Sequence, residues 1–68
     1  MIDAKWAADI VARMHMTRIR QLDLAKEAGF SAPYLSTVLS QYRGDEGTQK
    51  TVEEALERLE KKRLLGEE

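Results

Sequence analysis

Sixty-eight residues provide for one small domain, because a chain of this length buries only about 60% of its unfolded surface and its core is thin. It has no cysteine, which excludes a disulfide framework and a thiolate zinc site and fits a reducing, cytoplasmic setting. The formal charge of −1 argues at first sight against a nucleic-acid partner, and no apolar run approaches the roughly 20 residues of a membrane span.

Ile2, Trp6, Ile10 and Met14 recur every four residues, flanked by Ala7 and Val11, which predicts a first amphipathic helix over about 3–15. Asp3 is placed to cap it, and Trp6 lies on its core face. The N-terminus lacks the basic-then-apolar order of a signal peptide, so an intracellular, soluble domain is expected. His15, the single histidine, has no second ligand near it in sequence and reads as a surface residue rather than a metal site.

A basic connection from Met16 to Arg20 leads to a second helix over about 21–28, with Leu24, Ala25 and Ala28 apolar. Gly29 stops it, where a left-handed backbone costs a glycine little. Phe30 and Ser31 form the turn, and Ser31 is the natural cap of a third helix over about 32–42. Pro33 fits the first turn of that helix. At about 100° per residue, Leu35, Val38, Leu39 and Tyr42 face the core. Pro33, Ser36, Thr37, Ser40 and Gln41 then face outward.

Arg43-Gly44-Asp45-Glu46-Gly47 is the clearest loop, with room for one short extra turn near 44–48. The last helix is predicted over about 48–65, with Thr51 and Glu54 at capping-box spacing and Thr48 as an alternative cap. Val52, Ala55, Leu56 and Leu59 form its buried stripe, and Glu54–Arg58 and Glu57–Lys61 have i,i+4 spacing. Glu53, Glu54, Glu57 and Glu60 read as a solvated face. Leu64 and Leu65 lie past the stripe, where they would meet a twin subunit, so a homodimer is carried beside a monomer. The expected architecture is all-α, a single domain of four compactly packed helices or five with the short turn.

Two short helices joined by a glycine-bearing turn of three or four residues make a helix-turn-helix, the unit that sets its second helix in a DNA major groove. The charge distribution agrees with this. Residues 13–43 carry Arg13, Arg18, Arg20, Lys26 and Arg43 against Asp23 and Glu27, a local balance of +3. Residues 44–68 carry five cations against eight acids, a balance of −3. No nucleophile–base pair and no glycine-rich phosphate loop is present, so neither enzymatic activity, nor a cofactor, nor a small-molecule substrate is expected.

Gln21, Leu24, Ala25, Gly29, Phe30, Ser31, Leu35, Ser36 and Val38 reproduce a known pattern, Gln-x-x-Leu-Ala-x-x-x-Gly-Val-Ser-x-x-x-Leu-Ser-x-Val, with Phe where Val is usual. On these residues the chain resembles the lambda-repressor-like family, the Cro and repressor type of helix-turn-helix DNA-binding domain of bacteria and their phages. The resemblance implies a transcription regulator that binds double-stranded DNA and is nucleoid-associated. Carried over by position, it gives a phosphate contact to Gln21 and base-edge contacts to Ala32, Pro33, Ser36 and Thr37. Further phosphate contacts fall to Tyr34 and Arg43. Arg20 stands where the family usually has a capping threonine, which weakens the cap and adds a cation beside the DNA backbone. The third helix also departs from the family in having no outward Arg, Asn or Lys, which leaves Ala32, Pro33 and the Thr37 methyl to pack on thymine methyls and Gln41 to read adenine if it reaches. Two alternatives stay open: a protein–protein adaptor or antirepressor-type module on the same fold, and a nonspecific DNA binder.

Overall fold

Residues 3–66, the part of the chain that the computed structural model describes, are almost entirely helical. α1 runs over Ala4–Thr17, α2 over Gln21–Ala28, α3 over Ala32–Gln41 and α4 over Glu46–Leu64. Ile2, expected on the apolar face of the first helix, lies outside the described residues. No strand occurs among the described residues, and none of their helices is long and apolar enough to cross a membrane.

Local chemistry fixes each boundary. Asp3 has extended backbone, and its carboxylate accepts the Lys5 N–H at 3.0 Å, opening α1. α1 continues two residues beyond the expected end. There Arg18 turns left-handed at φ 57, its N–H reaching the His15 carbonyl while the Ile19 N–H reaches that of Met14 at 2.9 Å. This is a Schellman closure, and its usual apolar contact is supplied by Ile19 and Met14, both in the core. The end of α2 repeats the device with glycine. Gly29 sits at φ 80, and the Phe30 N–H reaches the Ala25 carbonyl at 2.8 Å.

The start of α4 corrects the sequence reading. Asp45, not Thr48 or Thr51, is the cap: its Oδ1 accepts the Thr48 N–H at 2.9 Å and the Thr48 hydroxyl at 3.2 Å. An aspartate caps at least as well as a threonine, and its charge also favours the positive end of the helix dipole. The expected loop over 43–47 therefore shrinks, and the extra turn near 44–48 is the first turn of α4 itself. Thr51 lies inside the helix, donating its hydroxyl back to the Gly47 carbonyl at 2.9 Å.

α1 and α2 each pack on both α3 and α4. The core comprises Ala7, Ile10 and Met14 of α1, Leu24 and Ala25 of α2, Leu35, Val38 and Leu39 of α3, and Val52, Ala55 and Leu56 of α4. Burying each of the larger aliphatic side chains stabilises the fold by about 1.5–3 kcal/mol. Ala25 and Ala55, fully buried, keep the helix axes close where they cross. Two side chains depart from expectation. Ile19, in the connection rather than in a helix, belongs to the core. Tyr42, expected to face it, is 43% exposed, because it takes the left-handed conformation at φ 56 and so leaves the line of Leu35 and Leu39. Trp6 packs on the core from its edge, and its indole N–H donates to the Glu53 carboxylate.

The acidic face of α4 is also not wholly solvated. Glu60 receives both Nε and Nη2 of Arg13, at 3.1 and 2.7 Å, and Glu53 takes the Trp6 N–H. Arg58 leaves its i,i+4 neighbour Glu54 and reaches α2 instead. There its Nε donates to the Glu27 carboxylate at 2.7 Å and its Nη2 to the Glu27 carbonyl at 3.2 Å. Lys62 adds a second, longer approach to Glu27 at 3.8 Å. At this exposure each such pair is worth at most about 1 kcal/mol, but together they fix how α1 and α2 lie on α4.

Candidate nucleic-acid interface

The residues with candidate binding roles gather on α3 and at the start of α2. Three residues, Gly29, Phe30 and Ser31, separate the two helices. Ser31 is extended, and its hydroxyl accepts the Tyr34 N–H at 3.2 Å, capping α3 as its sequence position predicts. Phe30 meets the Tyr34 ring edge-on at a centroid distance of 5.0 Å and an interplanar angle of 74°. That contact is worth about 0.5–1.5 kcal/mol beyond area burial, and it braces Tyr34 while leaving the ring exposed.

Leu35, Val38 and Leu39 are buried, which fixes the opposite side of α3 as its outer face. Pro33 and Gln41 are exposed on it, and Ala32, Ser36 and Thr37 are half-buried. Two hydroxyls on this helix turn inward to its own backbone. Thr37 Oγ1 donates to the Pro33 carbonyl at 3.0 Å, and Ser40 Oγ donates to the Ser36 carbonyl at 2.7 Å. The surface that results is small, methyl-bearing and uncharged.

Arg20 is the first flank of α2 and makes no side-chain cap, since a guanidinium has no acceptor for an N–H; Gln21 is the first helical residue. Both are exposed. Arg43, also exposed, lies in the connection between α3 and α4. Ala32, Pro33, Tyr34, Ser36, Thr37 and Gln41 thus share one helix, and Arg20 and Gln21 open the helix packed against it. Arg43 follows from the far end of α3.

Pairing sharpens the charge distribution. Glu60 holds Arg13, and Arg58 and Lys62 engage Glu27, so one cation and one anion of residues 13–43 are already committed to α4. Arg18, Arg20, Lys26 and Arg43 take part in no ion pair among the described residues, and Asp23 is the one acid of residues 13–43 left to offset them in charge. The local positive balance is therefore carried by side chains available to an outside anion. The Glu27 carboxyl is held below the usual carboxylate range chiefly by the Arg58 hydrogen bond, and that of Asp45 chiefly by the Thr48 N–H. The Arg13 guanidinium is held above its ordinary value by its hydrogen bonds to Glu60.

Sequence reasoning missed two positioning contacts. Arg58 closes the end of α2 at the Glu27 carbonyl, and Arg63 Nη2 donates to the Arg18 carbonyl at 3.2 Å, tying α4 to the end of α1. Both span more than 30 residues, and no local spacing announces them. Among the described residues, no group of three or more His, Cys, Asp or Glu side chains is arranged to hold a metal ion. Comparison of the chain with protein-family models, with curated proteins and with solved structures found no match.

Proposed function

We propose that this chain is a small phage or prokaryotic transcription regulator of the lambda-repressor-like helix-turn-helix kind, which lays α3 in the major groove of an operator. Ala32, Pro33, Ser36, Thr37 and Gln41 would face base edges. Arg20, Gln21, Tyr34 and Arg43 would hold phosphates, with Arg18 and Lys26 adding to the field. Phosphate contacts of this kind set position and affinity, and base contacts set sequence preference. The observation that carries the proposal is the α2–α3 pair. A capped helix with an uncharged outer face packs on a second helix, and cations outside any ion pair of the described residues flank both. Such a regulator works by occupancy, blocking or recruiting the transcription machinery at its site.

A second reading, a protein–protein adaptor on the same fold, draws support from Leu64 and Leu65, which are 84% and 73% exposed, and from exposed Leu22 and Met16. Chemical-shift mapping with mixed-sequence duplex DNA separates the two. The DNA reading expects perturbed amides at Arg20, Gln21, Ala32 and from Tyr34 to Thr37, Pro33 having no N–H. Perturbation confined to α4, or none at all, would favour the adaptor.

A further inference from the structure

We infer that the outer face of α3 discriminates bases by their 5-methyl groups, so that the preferred duplex sets thymines, not guanines, opposite Pro33 and Thr37. The inference rests on the DNA reading above and specifies its partner. With Leu35, Val38 and Leu39 marking the buried side, Pro33, Thr37 and Ser40 fall on one line opposite it, one turn apart. From Ala32 to Gln41 the helix contains no Arg, Lys, Asn, Asp or Glu. A guanine presents two acceptors in the major groove and is best read by a bidentate donor, which this face lacks.

The Thr37 and Ser40 hydroxyls do not supply the missing donors, and the single O–H of Ser36 cannot make a bidentate contact. Thr37 gives its proton to the Pro33 carbonyl and Ser40 gives its own to the Ser36 carbonyl. That bond also fixes the Thr37 rotamer, so the β-branched side chain offers its γ-methyl to the groove at little further entropic cost. Pro33 offers ring methylenes on a backbone already locked in the first helical turn. The apolar group that a base pair presents in the major groove is the thymine C5-methyl, which makes it the complement of this surface. One buried methyl is worth about fourfold in affinity. Discrimination is therefore shallow at each position, unlike the larger ratios of bidentate readers.

The test selects binders from random 20-base-pair duplexes, then resynthesises the tightest with deoxyuridine replacing each thymine in turn. That change deletes the methyl and keeps both the pairing and the O4 acceptor. Affinity should fall about fourfold at the thymines opposite Thr37 and Pro33, with the salt dependence unchanged. Placing C·G at such a site should weaken binding, and 5-methylcytosine there should regain part of the loss. Thr37→Ser removes the protein's methyl but keeps the hydroxyl and its backbone bond. It should abolish the thymine–uracil difference at one position and leave the circular-dichroism spectrum unaltered. Tight binding with uracil equal to thymine everywhere, or a guanine requirement at these positions, would overturn the inference while the DNA reading stood. A chain that enriches no duplex and binds none at low salt would overturn both.

Discussion

Arg18, Gly29 and Tyr42 all adopt left-handed backbone, at φ 57, 80 and 56, and the same geometry has opposite consequences at glycine and non-glycine positions. A side chain there costs about 1–2 kcal/mol that glycine avoids. Arg18→Gly is therefore expected to stabilise the fold by about 0.5–1 kcal/mol in urea unfolding, after the greater freedom of glycine in the unfolded chain is subtracted. Gly29→Ala should destabilise it by about 1 kcal/mol through the backbone alone, since an added Cβ there meets nothing within 4 Å. The glycine was legible in the sequence because its letter names its conformation. Tyr42 was not: helical periodicity puts it on the core face, and nothing in its identity says that the helix will end there left-handed. Ile19 escaped for a related reason. It belongs to neither helical period, and its burial follows from the Schellman closure that Arg18 makes.

At the scale of elements, the helices that carry the candidate site were the most legible. α2 has the expected bounds, and α3 differs by a single residue at its end. The turn between them is written in residues with individual reasons, a left-handed glycine, a capping serine and a proline in the first turn. Ser31→Ala should cost about 1 kcal/mol, read by thermal or urea unfolding. The start of α4 was less legible because three capping letters, Asp45, Thr48 and Thr51, compete within seven residues, and the acid won.

The two depressed carboxyls give that choice a pH signature. A group whose folded pKa is lowered contributes stability above its unfolded value and loses it as pH falls through the folded one. For Asp45 and Glu27 that window lies below about pH 4. The unfolding midpoint should be nearly flat from about pH 7 to 5 and fall below about 4. Asp45→Ala should lower the midpoint at neutral pH, and the difference from the parent chain should close in strong acid. A difference that persists unchanged in acid would mean that the Asp45 charge is not what holds the start of α4.

Across the whole molecule, the neutral total conceals how the charges are paired. Arg13 with Glu60 and Arg58 with Glu27 join positions 47 and 31 residues apart, so no spacing rule finds them, whereas the i,i+4 pairs that spacing does suggest are not the ones Arg58 makes. Their effect is to bind α4 to α1 and α2 while leaving Arg18, Arg20, Lys26 and Arg43 outside any ion pair of the described residues. The core beneath is thin. Leu56→Ala, at a fully buried position, should cost about 2–5 kcal/mol, a large share of what a chain of 68 residues can hold. The measurement that bears most directly on the central proposal is duplex-DNA affinity titrated against salt for the parent chain and for Arg20→Ala and Arg43→Ala. If the chain binds as a dimer and about five phosphates are neutralised, log affinity should fall against log salt with a slope of roughly −4 to −5. Removing one cation from each subunit should make the slope shallower by about 2. Affinity indifferent to salt, or slopes unmoved by either substitution, would contradict the assignment of this face to DNA.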